Sequence, residues 1–275
     1  MSPQPVSLLV TIGSHNVTKA TTARSSILSL ILLALVACSG GVDASTSASD
    51  LQGEVLVSAA ASLTDAFGEI ESAFEGANAG VDVILNLGAS SALREQILEG
   101  APADVFASAN TPNMDQVAEA GEVVGQAEIF VTNLLQIAVP AGNEAGVTGL
   151  DDFANEDLLI GLCAEDVPCG QFGREALAGA GVTPAIDTNE PDVRALLTKV
   201  EAGELDAGIS YVTDVLSTEG TVDGVDIPAE DNVVAEYPIA VLAGAPNPDA
   251  AASFVEFVLS DQGQAILTGY GFSSP

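Results

Sequence analysis

An α/β fold, with parallel sheets covered by helices on both faces, is the architecture this sequence predicts. Three observations carry it. Short runs of aliphatic and β-branched residues alternate along the chain with segments whose apolar residues recur every three to four positions. These are the periods of strand and helix. Glycines follow several of the helical segments, and two of the strand-to-helix turns are built from small residues and serine.

Residues 54–58 (EVLVS) are the first strand, and Leu63, Phe67, Ile70 and Phe74 mark a helix that Gly76 can stop. A second strand, 81–87 (VDVILNL), leads to a helix carrying Leu93, Ile97 and Leu98, with Gly100 beyond it. Residues 103–108 (ADVFAS) form a third strand, and Met114 and Val117 mark the next helix, closed by Gly121. Further on, 134–139, 158–162, 207–212 and 238–242 are buried strands. Helices lie between them at 171–178 and 192–202, the second with Val193, Leu196, Leu197 and Val200 on one face. A last helix runs over 249–259, its pattern carrying on past Gln262. Alternation of this kind gives parallel sheets. Ligands of such folds sit at the carboxyl ends of the strands, where helix N-termini point.

The N-terminus sets the address. Residues 1–37 hold no Asp or Glu, carry Lys19 and Arg24, and end in an apolar run from Ile27 to Ala37. That run is shorter than the ~20 residues a membrane span needs, and the pattern is that of a signal peptide. Leu35-Val36-Ala37-Cys38, followed by Ser39-Gly40-Gly41, resembles the bacterial lipobox. That likeness implies a lipoprotein signal, diacylation of Cys38 and anchoring on the extracytoplasmic face of the cell membrane. The alternative is an ordinary cleavage site and a soluble secreted protein. Residues 38–52, rich in Ser, Ala and Gly near their start, are expected to be a flexible tether.

Composition excludes several functions. Six Lys and Arg face 39 Asp and Glu, a formal net charge of −33, and two of the six bases lie in the signal. Such a surface repels nucleic acid and anionic headgroups, so no nucleic acid is expected as a partner. With 48% hydrophobic and 16% charged residues the chain can build a core and lacks a disordered composition. The one histidine, His15, falls in the signal, which excludes Ser–His and Cys–His catalysis and histidine metal sites. No spacing of acids singles out a catalytic pair. Neither an enzyme nor a cofactor is expected. Cys163 and Cys169, close together in an exported chain with no histidine nearby, are read as a disulfide rather than a zinc site. Two free thiols are the alternative.

Two turns carry the chemistry. Ala59-Ala60-Ala61-Ser62-Leu63-Thr64-Asp65 places Ser62 where a helix N-cap belongs, and Leu87-Gly88-Ala89-Ser90-Ser91-Ala92-Leu93 repeats the grammar. Small residues let the backbone approach a ligand, and a helix N-terminus offers unpaired N–H groups with roughly half a positive charge. Taken alone, a serine at such a place is an ordinary cap. Tyr211 alone could be a strand-end core residue, and Val193 a core residue of its helix.

In combination the motifs say more. AAASLTDAF (59–67), GASSALREQI (88–97) and GAPADVFASA (100–109) are followed by VPCGQFGREAL (167–177) and PDVRALLTKVEAGELDAGISYVTD (191–214). EYPIAVL (236–242) and GYGF (269–272) close the series. In this order they resemble the periplasmic molybdate-binding protein family of ABC transporters, over residues 53–272. The resemblance implies a type II periplasmic-binding-protein fold, two α/β lobes joined by a hinge with the ligand cleft between them. Lobe 1 would be 53–133 plus 236–275, and lobe 2 would be 134–235. It further implies a monomer that holds molybdate, with tungstate nearly indistinguishable, and delivers it to an ABC transporter permease.

Carried over residue by residue, Ser62 and Ser90 supply hydroxyl and backbone N–H donors, Cys169 and Val193 supply backbone N–H groups at helix starts, and Tyr211 supplies a phenol hydroxyl. The family commonly has alanine at the position of Cys169. A backbone donor survives that change, and the cysteine again suggests a bond to Cys163 that would stiffen the loop. Molybdate is fully ionised at neutral pH and suits a donor-only site, whereas phosphate retains a proton and wants an acceptor carboxylate. Sulfate is the alternative ligand, separated only by size and donor spacing, and a non-transport oxyanion sensor is the alternative role. Asp65 and Asp166 are read as structural or surface acids. Arg94, Arg174 and Arg194 are read as ion-pairing groups rather than ligands. Of Tyr211, Tyr237 and Tyr270, only the first lies in a site motif.

Overall fold

The computed structural model describes residues 51–275. The signal segment, Cys38 and nearly all of the expected tether lie outside them. In chain order the elements are β1 (Gly53–Ala60), a 3₁₀ turn (Ala61–Leu63), α1 (Thr64–Ala77), β2 (Val81–Gly88), α2 (Ser90–Leu98), β3 (Val105–Ala107), α3 (Thr111–Glu119) and β4 (Glu128–Pro140). A second 3₁₀ turn (Leu150–Ala154) precedes β5 (Ile160–Cys163), α4 (Pro168–Gly179), β6 (Thr188–Glu190), α5 (Val193–Glu201) and β7 (Ala207–Tyr211). Then come α6 (Val212–Leu216), β8 (Val222–Asp226), β9 (Val234–Val241), α7 (Pro248–Leu259) and α8 (Asp261–Gly269).

Neighbouring strands run β2-β1-β3-β9-β4-β7-β5-β6, with β8 paired to β4. Each flank is parallel: β1 with β2 and β3, and β5 with β6 and β7. The centre is not. β9 runs antiparallel to β3 and β4, and β4 runs antiparallel to β7 and β8. The expectation of parallel sheets therefore holds for the βαβ units and fails where the two flanks meet. Helical crossovers enforce parallel pairing, and the central strands do not follow one another through such a crossover.

β4 changes partner along its length. Its residues from Glu128 to Leu134 pair with β9, and those from Leu135 onward pair with β7 and β8. A single 13-residue strand thus belongs to both flanks. Only its second half is evident in the sequence, because Glu128, Thr132 and Asn133 interrupt the apolar run. Asn133 is buried, and its Nδ2 donates to Thr213 Oγ1 at 2.8 Å. Short polar strands such as β6 (TNE) and β8 (VDGVD) carry no hydrophobic period at all. The last helix is two helices. Ser260 is extended, and its Oγ accepts from Gly263 N at 3.3 Å to start α8. A Cβ on Gly263 would stand 2.3 Å from the Phe257 carbonyl oxygen, so glycine alone permits this close turn.

The core fills the space between sheet and helices. β5 and β7 are buried along their whole length, as strands covered on both faces are. Edge-to-face rings run through it in sequence: Phe74–Phe254 at 5.3 Å, Phe254–Phe67 at 6.2 Å, Phe67–Phe130 at 6.0 Å, Phe130–Tyr237 at 6.4 Å and Tyr237–Tyr211 at 6.1 Å. Such pairs add ~0.5–1.5 kcal/mol each beyond the area they bury. The chain of rings ends at the carboxyl end of β7.

Candidate functional site

Ser62, Ser90, Cys169, Val193 and Tyr211, each on a different element, line one cavity. The cavity volume is about 20 Å³, far below the ~300–1,000 Å³ of sites for drug-sized ligands. A space of that size has no room for a sugar or a peptide. No lysine or arginine is in its wall, and its one acid is Asp192.

Ser62 does not cap a helix. The 3₁₀ turn tightens the chain so that α1 begins later, after Leu63, with no side-chain cap. Ser62 Oγ instead lies 2.9 Å from Tyr237 Oη. Ser90 is the first residue of α2, and that helix also lacks a side-chain cap. Its Oγ accepts the Ala109 N–H at 2.9 Å. With that lone pair occupied, the hydroxyl proton is free to donate. The first backbone bond of α2 is Leu93 N to Ala89 O, so the N–H groups of Ser90, Ser91 and Ala92 precede the ladder.

α4 repeats the arrangement on the other flank. Pro168 opens the helix, no side chain caps it, and the first backbone bond is Gln171 N to Val167 O. The N–H groups of Cys169 and Gly170 are therefore left over. Cys163 and Cys169 form a disulfide that ties the end of β5 to the start of α4, with 5.7 Å between their Cα atoms. Arg174 braces the same loop from behind: Nη1 donates to the carbonyls of Cys163 at 2.8 Å and Gly170 at 3.0 Å. A Cβ at Gly170 would lie 2.0 Å from Ala164 O and 2.6 Å from Cys163 O, both backbone atoms. Gly170→Ala is expected to destabilise the protein by about 1–3 kcal/mol through overpacking, read as a lower denaturant midpoint at unchanged slope.

At α5, the N-cap Asp192 takes the Ala195 N–H on its carboxylate at 2.9 Å. Val193 is buried in the core by its side chain, and as the first residue of the Asp192-capped helix its N–H precedes the backbone ladder. Tyr211 ends β7 at 1% exposure, and its hydroxyl has no hydrogen-bond partner among the described residues. Burial holds its pKa well above 10, with Tyr237 and Asp214 adding to the shift. It is a neutral donor at any physiological pH. Burial raises Tyr237 as well.

Three contributors escaped the sequence reading. Tyr237, inside the EYPIAVL segment, supports Ser62. The Ala109 N–H orients Ser90. Asp214 is 1% exposed, accepts from Tyr211 N at 3.3 Å through Oδ2, and leaves Oδ1 without a partner. Burial raises its pKa to about 7, against the pull of Arg194. Arg94, Arg174 and Arg194 all stand outside the cavity wall. Arg94 Nη1 donates to Asn113 Oδ1 at 2.8 Å, Arg174 braces its loop, and Arg194 bonds Asp65 and Ser217. Asp166 contributes only a backbone carbonyl, to Gln171 at 3.3 Å. Among the described residues, no three His, Cys, Asp or Glu side chains are grouped to hold a metal ion. No helix there is long and apolar enough to cross a membrane.

Two α/β halves that share their central strands and enclose a small, donor-lined cleft define a type II periplasmic-binding-protein fold. The chain belongs to the bacterial extracellular solute-binding protein family, whose model matches residues 55–273. It is 38% identical over 248 residues to the molybdate-binding protein ModA of Mycobacterium tuberculosis H37Rv, covering 90% of this chain and 95% of that one. It is 33% identical to ModA of Escherichia coli K12, covering 81% and 90%. The Azotobacter vinelandii periplasmic molybdate-binding protein shares the fold, with a TM-score of 0.70 at 18% identity over 80% of this chain and 99% of that one. The family is extracellular and solute-binding, and so is this chain.

Proposed function

We propose that this protein captures molybdate, and tungstate with it, and delivers the anion to an ABC permease. The observation that carries this reading is the convergence of uncapped helix starts with a free Ser90 hydroxyl proton and a partnerless Tyr211 hydroxyl on one small cavity. A buried dianion needs many donors and no competing carboxylate. Helix starts supply both N–H groups and favourable dipole ends. Asp192, the one acid in the wall, uses Oδ1 as the α5 N-cap for the Ala195 N–H, and the donors from the helix starts and hydroxyls outnumber it. Sulfate differs from molybdate in size and must be separated by fit.

In this reading the two lobes are 53–133 with 236–275, and 134–235. They hinge where β4 changes partner. The donors divide between them: Ser62 and Ser90 in one, Cys169, Val193 and Tyr211 in the other. Closure would complete the shell around the anion. Cys38 would anchor the monomer to the membrane beside its permease, the 38–52 tether giving it reach.

Ser62→Ala and Ser90→Ala are each expected to weaken molybdate binding by ~1.5–3 kcal/mol, the worth of a charge-assisted hydrogen bond. Titration calorimetry reads this directly, and wild-type affinity in both variants would refute the site.

A further inference from the structure

We infer that two polar contacts across the cleft, Arg194 with Asp65 and Gln171 with Asn110, are latches that set how fast the anion is released. The inference rests on the oxyanion-binding reading and its division into lobes. Asp65 stands on α1, which packs against β2 and α8, whereas Arg194 stands on α5, which packs against β4 and β7. Arg194 Nη2 donates to Asp65 Oδ2 across that boundary. On the second line of contact, Asn110 caps α3 and its Nδ2 donates to Gln171 Oε1 of α4 at 2.8 Å.

Each latch sits beside proposed donors of both lobes. Asp65 is one turn beyond Ser62, and Arg194 directly follows Val193. Asn110 directly follows Ala109, whose N–H holds the Ser90 hydroxyl, and Gln171 is two residues beyond Cys169. Closing the latches therefore seats the donors, and opening them withdraws donors from both sides of the anion.

Both latches are also prepared within their own lobes. Arg194 Nη1 donates to Ser217 Oγ at 2.8 Å, and Ser217 Oγ donates to Asp214 O at 2.7 Å. Asn110 Oδ1 accepts from Asn113 N at 3.2 Å and Asn113 Nδ2 at 2.7 Å, and Arg94 fixes Asn113 in turn. That network turns the Asn110 amide nitrogen outward, toward Gln171. Groups held in place before they meet lose little entropy on meeting. The ion pair remains 29% and 43% exposed at Arg194 and Asp65, so solvent weakens it to a strength that thermal motion can break.

Asp65→Asn separates a latch from a plain charge effect by sign. Taking a carboxylate away from the cleft makes the local field more favourable to a dianion, so charge alone would tighten binding and slow release. Loss of a latch does the reverse. With radiolabelled molybdate chased by unlabelled molybdate, Asp65→Asn is expected to release about two- to five-fold faster, the range of a partly exposed pair. Gln171→Ala, at an exposed position, is expected to act in the same direction, and the double variant to multiply the two. Release at or below the wild-type rate in both single variants overturns the inference. Should wild-type protein bind no molybdate, the functional reading fails instead. Small-angle scattering of the ligand-free protein then decides on the latches: both variants are expected to have a larger radius of gyration than wild type, and superposable curves overturn them.

Discussion

Molybdate at a thousand times its dissociation constant is expected to raise the unfolding free energy by about 4 kcal/mol, a rise of about 10 °C in melting temperature for a chain of this size. Tungstate should match it. Sulfate and phosphate at the same concentrations should do far less, for two separate physical reasons. Phosphate arrives carrying a proton, and a wall made mainly of donors, with Asp192 its one acid, matches a protonated anion less well than a fully ionised one. Sulfate carries the right charge but is smaller, so donors seated for a larger tetrahedron reach it poorly. A shift of equal size with all four anions would show a site that recognises charge alone, and the assignment of molybdate would fall.

The second large effect concerns Asp214, which the cavity does not touch directly. Its pKa stands at about 7 in the folded protein against 3.8 as the ordinary value, with burial as the leading cause. Between those two values the folded state keeps a proton that the unfolded state has released. Stability from this group is therefore full below about pH 4, falls as pH rises toward 7, and is level above it. Asp214→Asn cannot ionise and keeps an acceptor for the Tyr211 N–H. The variant should be more stable than wild type by roughly 2–4 kcal/mol at pH 8, with the gap closing at pH 4. Denaturant unfolding at the two pH values measures it. A difference that does not change with pH would remove Asp214 as the titrating group.

Legibility in the sequence followed hydrophobic period. The β-α units at 53–119 and α4 and α5 stand out because Leu63, Phe67, Ile70, Phe74 and Val193, Leu196, Leu197, Val200 repeat at helical spacing. β6, β8 and the first half of β4 do not, because their polar residues sit where the sheet edge or a side-chain bond accepts them. The break between α7 and α8 turns on Ser260 and Gly263, whose role is a backbone approach invisible to any pattern of apolar residues. At the cavity, the small-residue turns and the family likeness named Ser62, Ser90, Cys169, Val193 and Tyr211. Supports drawn from far along the chain, Tyr237 for Ser62 and Ala109 for Ser90, depend on pairings that only the folded sheet creates. The assignment of Ser62 as a helix cap failed for a local reason, a 3₁₀ turn that delays the start of α1.

The order of strands constrains how the molecule can be made. β9 sits between β3 and β4, yet its residues, 234–241, are among the last of the chain to leave the ribosome. Until they arrive, β3 has a bare edge and the early part of β4 has nothing to bond. The first half therefore cannot complete its sheet until the chain is nearly finished, whereas the strands of the second, β5 to β8 with the later part of β4, are all made before β9. Fragments ending before Val234 should leave β3 and the early part of β4 open to proteolysis while the pairings of β5 to β8 are kept.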